Sequence, residues 1–366
     1  FDKIPTFKAH KKPSKTTFSV VIPFRNEADN LPKLLTSIQH LNYAKELVEF
    51  LFIDDDSTDN SVEIIENFIT SQVEDSRNLK PLDSTTGDNF IILKNNRFSN
   101  SPKKDAISTA ISTAKNKWII TTDADCVLPL NWLLTFDNFI QQNDCNMVVA
   151  PVTYNSNSTF FEQFQLLDFL SLQGATIGGF GLHKPFLCNG ANLAYKKEIF
   201  TKLNGFENNN FIASGDDVFL FENFLKHNKS KVFYLKSRNA IVKTFPVKSI
   251  KELIHQRVRW ASKTANYNLF FGKFVGGIIF LGNACTTTIP ALIFINLLSV
   301  KTATALFFLK LFFDFLLIEK TAKFMQQKTT FTAYFLSSFL YPIFTIYIAF
   351  SSLFSNYNWK GRTFNK

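Results

Sequence analysis

Polar and acidic residues stand at the ends of successive apolar runs in the first part of this sequence. Arg25 and Glu27 follow the run Phe18–Ile22, and Asp54 and Asp55 follow Glu49–Ile53. Asn95 to Arg97 follow Phe90–Leu93, and Asp123 and Asp125 follow Trp118–Thr121. Along Thr121-Thr122-Asp123-Ala124-Asp125, an extended backbone would put both carboxylates on one side while Ala124 faces away. Two carboxylates on one side suit a hard divalent ion. Mg2+ takes one or two of them and completes its shell with water and substrate phosphates. Such an ion neutralises the charge that develops on a departing diphosphate, acting as Lewis acid and template.

The elements that would position these groups read as alternating strands and helices. The five runs, closing with Met147–Val152, are short, continuous and rich in β-branched residues, as strands buried on both faces are. Asp29 or Asn30 can cap a helix with Pro32 in its first turn and Leu31, Leu34, Leu35 and Ile38 on one face. Ser57, Thr58 and Asp59 can cap the next, which carries Val62, Ile65 and Ile69. This grammar predicts an α/β fold with a doubly wound, mostly parallel sheet and helices on both faces. Ligands of such a sheet bind beyond the carboxyl ends of its strands, so four strand ends would face one crevice. Residues 73–89 are polar and read as an exposed loop before the third strand. The stretch 160–245 reads as less regular, with the glycine-rich run Gly174 to Gly181, a loop Cys188–Asn192 and a helix over Val218–Phe224 headed by Asp216 and Asp217.

The bulk numbers fit a chain that is part soluble and part membrane. Its 366 residues are 46% apolar and 19% charged, too apolar for disorder and too charged for a polytopic transporter. The net charge of +10 points to anionic lipid or phosphorylated small molecules, or to lysines flanking membrane segments. No zinc-finger spacing or base-reading helix is present, so nucleic acid is not expected as a partner. The four cysteines are scattered, which suits a reducing compartment. Three apolar stretches follow, at about 274–299, 303–319 and 331–354. The first and third can cross about 30 Å of hydrocarbon. The middle one carries Lys310 and Asp314 and is either interfacial or buried against its neighbours. Residues 249–265 form an amphipathic pattern through Ile250, Leu253, Ile254, Val258 and Ala261 that fits a membrane interface. The expected domains are a basic segment 1–17, a catalytic domain 18–248, an interfacial helix 249–272, a region of two or three spans 273–355 and a basic tail 356–366. The lysines at positions 3, 8, 11, 12 and 15 would suit the cytoplasmic flank of a membrane helix removed before Phe1.

Phe18-Ser-Val-Val-Ile-Pro-Phe-Arg-Asn-Glu27, Phe52-Ile-Asp-Asp-Asp-Ser-Thr-Asp59 and Asp123-Ala-Asp125 together resemble glycosyltransferase family two, with its nucleotide-sugar-binding GT-A fold. Gly215-Asp216-Asp217 resembles that family's acidic pair at the acceptor site. Gln256-Arg-Val-Arg-Trp260 is similar to the QxxRW signature of its membrane-bound branch, and Trp359-Lys-Gly-Arg362 is loosely similar to an element near the end of some members. The resemblance implies an inverting, metal-dependent hexosyltransferase. Pro23, Arg25, Glu27, Asp54 and Asp55 would bind the nucleoside of a UDP-sugar. Lys103 or Lys104 would lie near the nucleotide or its phosphates. Asp123 and Asp125 would hold Mg2+ or Mn2+ with the diphosphate. Asp217, beside Asp216, would be the general base that takes the acceptor hydroxyl's proton. Asn192, Gln256, Arg259 and Trp260 would serve the acceptor and diphosphate. Asp56 stands where the family commonly has Gly.

The implied acceptor is lipid-linked or membrane-associated, and the enzyme would be a multi-pass protein of the cell (inner) membrane with a cytoplasmic catalytic domain. A processive polysaccharide synthase is the alternative that the QxxRW signature favours, although three short spans offer little material for a pore. A nucleotide-binding membrane scaffold or transporter without turnover is the alternative of another class. Missing GxxxxGK[ST] and GxGxxG motifs exclude a P-loop phosphotransferase and a Rossmann dehydrogenase.

Overall fold

The computed structural model describes residues 1–9, 13–79, 89–155, 159–207, 215–263, 267–354, 357–359 and 362–364. The chain divides into two compact units: residues 4–152 with 188–244, and residues 1–3 with 153–187 and 245–366.

The first unit is built on strands β1 (Phe18–Phe24), β2 (Val48–Asp54), β3 (Phe90–Lys94), β4 (Trp118–Thr121) and β5 (Met147–Val149). Helices α1 (Leu31–Gln39), α2 (Ser61–Leu79), α3 (Pro102–Thr113) and α4 (Trp132–Gln142) alternate with them. A seven-stranded sheet has the order β3-β2-β1-β4, then three strands from later in the chain or next to it. β1 pairs in parallel with β2 and β4, and β2 pairs in parallel with β3. Val20, Val21 and Ile22 of β1 are wholly buried, each contributing about 1.5–3 kcal/mol. The chain winds outward from β1 to β3 and then returns to β4 on the other side of β1. The carboxyl ends of β1 and β4 therefore flank the point where strand order reverses, where such sheets open a crevice.

Several expectations are corrected here. The run read as one strand over Met147–Val152 stops at Val149 and resumes as β6 (Val152–Tyr154). Pro151 lies between them and has no N–H for a ladder. The predicted loop 73–89 is helical through Leu79, and residues 80–88 lie outside the described part. Asn30 precedes α1, but its side chain donates to Glu27 Oε2 at 2.7 Å instead of capping an amide. The sheet continues through β7 (Leu193–Lys196), antiparallel to β4 and β5, and β8 (Val232–Tyr234), parallel to β5. Helices α6 (Lys197–Lys202) and α7 (Asp216–Asn228), then strand β9 (Val242–Thr244), complete this unit. α7 begins at the acidic pair itself and extends past the predicted Phe224.

The second unit is helical. α5 (Phe160–Gly181) replaces the predicted irregular glycine-rich stretch with one 22-residue helix, capped by Thr159 on the Glu162 amide. Its glycines do not break it because at least one serves a close crossing. A Cβ at Gly174 would stand 2.5 Å from Thr321 Oγ1 and 2.9 Å from Leu317. Both residues lie on α10 (Val300–Met325), which follows α8 (Ile250–Ser262) and α9 (Phe270–Phe294) and precedes α11 (Phe331–Phe354). α9 and α11 are long and apolar enough to cross a membrane, at about 36 Å each by helical rise. α10 is continuous through the charged residues of the middle stretch, with Lys310 and Asp314 paired at 2.6 Å. Its last turns are buried at Thr321, Ala322, Phe324 and Met325. α5 thus falls with the C-terminal helices and not with the sheet that precedes it. A short antiparallel hairpin, β10 (Tyr357–Trp359) with β11 (Arg362–Phe364), ends the described chain. It contains the Trp359 and Arg362 backbone of the Trp-Lys-Gly-Arg element, whose middle residues lie outside the described part.

Candidate active site

At the carboxyl ends of β1 and β2, two loops are laced together by backbone amides and short polar side chains. Glu27 N donates to Ser61 Oγ at 2.8 Å, Ala28 N to Asp59 Oδ2 at 3.1 Å, and Thr58 N to Asn26 Oδ1 at 2.8 Å. Pro23 is opposite Ile53 in the parallel register, and Phe24 is opposite Asp54. Asp54 Oδ1 accepts from the Ser57 amide at 2.9 Å, which ties that carboxylate into its own turn. Arg25 Nη1 donates to the carbonyls of Asp55, at 2.6 Å, and Asp56. Asp56 adopts φ 59°. That left-handed geometry is easiest for glycine and tolerable for Asp, so this chain keeps the turn at some backbone strain.

Asp55 is buried, and its Oδ1 receives Asn95 Nδ2 and Arg97 Nε, each at 2.7 Å. Arg97 Nη2 also lies 3.1 Å from Asp56 Oδ2. The sequence counted Arg97 only as one more polar strand end; the structure makes it the charge partner of both acids. Its position three residues past β3, facing an Asp-Asp-Asp run one strand away, was the available signal.

Beside β4 a second group assembles. Lys103, in the first turn of α3, places Nζ 2.6 Å from Asp123 Oδ1 and 3.4 Å from Asp216 Oδ2. Burial alone would favour the neutral amine, but Asp123 and then Asp216, with Asp217 further off, outweigh it and hold the ammonium above the ordinary lysine range. Lys104 turns the other way. It is wholly buried, with Nζ 5.1 Å from the Phe219 ring centroid. Lys103 is the lysine whose ammonium meets Asp123 and Asp216.

Asp217 is joined to the same group through Gly190. Gly190 N donates to Asp217 Oδ2 at 3.2 Å, and Gly190 O accepts from Thr121 Oγ1 at 2.6 Å. A Cβ on Gly190 would stand 3.2 Å from Asp216 Oδ2 and 3.3 Å from Asp217 Cβ, so this close approach favours glycine. Asp217 Oδ1 also accepts from the Val218 amide at 2.8 Å, at the start of α7, where a helix favours negative charge. Asp55, Asp123, Asp216 and Asp217 thus all belong to the sheet-bearing unit, the last three gathered around Lys103 and Gly190.

One expectation fails in detail. β4 ends at Thr121, and Asp123 to Asp125 form a turn in which Cys126 N donates to Asp123 O at 3.2 Å. Strand alternation therefore does not align the two carboxylates. Asp125 Oδ1 faces the Cys126 thiol at 3.7 Å. Burial and then the charges of Asp125 and Asp123 push that thiol up, so it stays protonated. Asn192 is fully buried and braces the loop from inside. Its Nδ2 donates to Pro151 O and Ala240 O, each at 2.7 Å, while Oδ1 accepts from Trp132 Nε1 at 2.9 Å. Those contacts engage both ends of its side-chain amide.

In the helical unit, Gln256, Arg259 and Trp260 lie on α8 as their spacing predicts. While Ile250 stays exposed, part of the apolar face of that helix packs within the unit. Val258 packs with Ile348, joined by Ile254, Ala261 and Phe344, so α11 covers it. The buried arginine is Arg257, which the sequence passed over. Its Nε lies 2.6 Å from Asp168 Oδ2 on α5, and Tyr341 Oη on α11 donates to Asp168 Oδ1 at 3.0 Å. Arg257 Nη1 donates to Gln256 Oε1, and its guanidinium lies 4.2 Å from the Trp260 ring centroid. Trp260 in turn packs on Phe169 at 6.2 Å. A carboxylate at Asp168, between Leu167 and Phe169 in an apolar stretch of α5, was the signal for such a partner.

The residues present fit a divalent cation. Among the described residues no three His, Cys, Asp or Glu side chains gather as a self-sufficient cage. Asp123 instead offers a partly exposed carboxylate that already attracts a cation, the Lys103 ammonium, at 2.6 Å. One or two protein carboxylates completed by substrate phosphates is the usual arrangement for Mg2+ at such sites.

Comparisons with known proteins show the family and the fold. The model of glycosyl transferase family 2 matches residues 19–203, and that of glycosyl transferase family group 2 matches residues 118–354. The chain is 24% identical over 243 residues to glycosyltransferase AglE of Haloferax volcanii, covering 66% of this chain and 70% of that protein. It is 27% identical over 134 residues to a poly(ribitol-phosphate) beta-glucosyltransferase of Bacillus spizizenii, spanning 37% of this chain but only 19% of that one. A solved mannosyltransferase, PcManGT from Pyrobaculum calidifontis in complex with GDP-Man and Mn2+, shares the fold. Its TM-score is 0.53 at 16% identity, over 94% of this chain and 91% of that one.

Proposed function

This chain belongs to glycosyl transferase family 2, and we propose that it transfers a sugar, with inversion, from a nucleoside diphosphate sugar to a membrane-associated or lipid-linked acceptor. The observation that carries this reading is the gathering of Asp123, Asp216 and Asp217 around Lys103 and Gly190. The nucleoside lies at the β1 and β2 ends, beside Arg25, Asp54 and the Arg97-buttressed Asp55. Lys103 and Asp123, with Asp125 nearby, serve the diphosphate end. A divalent ion held by Asp123 supplies charge neutralisation to the departing diphosphate. The Mn2+ and GDP-Man bound to the Pyrobaculum calidifontis fold neighbour are of the same chemical kind. UDP is the expected carrier from the sequence resemblance.

Asp217 is the general base. Its two oxygens are oriented by the Gly190 and Val218 amides. The acceptor hydroxyl oxygen attacks the anomeric carbon and its proton passes to Asp217. The bond from that carbon to the diphosphate oxygen breaks, and the nucleoside diphosphate leaves with the electron pair. A positioned base accelerates such a step by roughly 10²–10⁴-fold. From the sequence resemblance, Gln256, Arg259 and Trp260 of the QxxRW helix serve the acceptor and product diphosphate, and Arg257 holds that helix to α5 through Asp168. α9 and α11 anchor the enzyme in the cell membrane, with the catalytic domain on the cytoplasmic side where nucleotide sugars are made.

The test is nucleotide release from UDP-, GDP- and TDP-sugars with Mn2+ or Mg2+ and membrane extract as acceptor. Asp217→Asn is expected to lower kcat by roughly 10²–10⁴-fold while nucleotide still binds. Normal transfer by that variant would remove Asp217 from the mechanism. A ladder of long polymers on a sizing gel would replace single transfer with processive synthesis.

A further inference from the structure

Three carboxylates crowd the rim beside β4, and like charges at such range repel unless a cation sits among them. Lys103 is that cation, 2.6 Å from Asp123 and 3.4 Å from Asp216. Its backbone is fixed in the first turn of α3, immediately after Pro102, while its ammonium rides on a flexible four-carbon stem. The side chain keeps a 20% exposure and that of Asp123 35%, so water and small ions reach the pair. A divalent ion that binds Asp123 needs oxygen lone pairs that the ammonium now engages. Two cations cannot share them without strong mutual repulsion.

We propose that Lys103 is a resident counter-cation that guards Asp123 against metal until a nucleoside diphosphate arrives, then moves onto the diphosphate oxygens as the metal takes its place. This rests on the nucleotide-sugar reading above and adds an order to it. Metal alone binds weakly because it must displace Lys103. The diphosphate offers the ammonium a new anionic partner, so metal and nucleotide each strengthen the other's binding by the same factor. Lys103 also holds Asp123 and Asp216 together while the site is empty, and so keeps the α7 end in register with β4.

The experiment measures Mn2+ binding to the full chain in detergent, by the free-ion electron paramagnetic resonance signal, with Mn2+ alone and with UDP or GDP. Lys103→Met is expected to bind Mn2+ alone about tenfold tighter or more than the parent chain, since one like charge has gone. The factor by which UDP or GDP tightens Mn2+ binding should shrink in that variant. Lys103→Arg, which keeps the charge, should bind Mn2+ alone as weakly as the parent. The double variant Lys103→Met with Asp216→Asn relieves the carboxylate repulsion should the single one unfold, and should bind Mn2+ alone more tightly than Asp216→Asn by itself. Equal affinity for Mn2+ alone in the parent and Lys103→Met, with both binding Mn2+ in the presence of nucleotide, overturns the guarding role and leaves the transferase reading standing. No Mn2+ binding by the parent even with UDP or GDP overturns the metal-assisted reading as well.

Discussion

The Lys103 cluster of the sheet-bearing unit and the Arg257 cluster of the helical unit use the same ingredients, one cation set against carboxylate, to opposite ends. Asp123 keeps about a third of its side chain exposed, whereas Arg257 and Asp168 keep 6% each. Lysine stands where a cation must exchange, and arginine where it must stay. A lysine ammonium is a mobile point charge, while a guanidinium forks to several partners at once and stacks on a ring. Arg257 does all of this, bonding Asp168 and Gln256 while lying against Trp260. Burial and fixed geometry make the second cluster part of the framework; partial exposure leaves the first free to exchange partners.

The contrast can be broken by substitution. Arg257→Met should destabilise the chain by about 3–5 kcal/mol, because Asp168 is left buried and unpaired. Adding Asp168→Leu and Tyr341→Phe should restore most of that loss, as apolar replacement of a whole buried pair often does. Thermal unfolding in detergent, followed by tryptophan fluorescence, reads both. A fall in the single variant with no recovery in the triple would mean that the network orders more than its own charges. Asp123→Asn should change stability by no more than about 1 kcal/mol, since a partly exposed pair contributes little, while abolishing the metal response. A loss as large as that of Arg257→Met would erase the distinction between the clusters. The smallest effect is expected at Asp144, exposed and paired with Lys231. Asp144→Asn should leave both the unfolding midpoint and transfer unmoved.

Much of the fold could be read from the sequence because the strands around β1 are buried on both faces and so appear as unbroken apolar runs. The helix α1 was legible for a similar reason: Leu31, Leu34, Leu35 and Ile38 are all buried, as their spacing requires. Features set by a partner distant in sequence were not. Nothing near Gly174 announces that α10 will press against it, so the glycines read as irregular chain. The turn at Asp123 depends on Cys126 N finding the Asp123 carbonyl, a bond that strand periodicity does not anticipate. Arg257 and Arg259 lie in one motif, yet only the three-dimensional place of Asp168 shows that Arg257 is the one pinned inside. Asn192 looked like a loop residue available to substrate until Trp132, Pro151 and Ala240 claimed its amide.

Gly190 is held at both of its polar atoms, by the Thr121 hydroxyl at one and the Asp217 carboxylate at the other. One residue thereby sets the spacing between the end of β4 and the start of α7. Glycine's own torsions are the freest in the chain, so the gauge is held from outside, by those two hydrogen bonds and by the close approach of Asp216 and Asp217. A larger side chain at position 190 would lengthen that distance, and would spoil the chemistry for every acceptor alike.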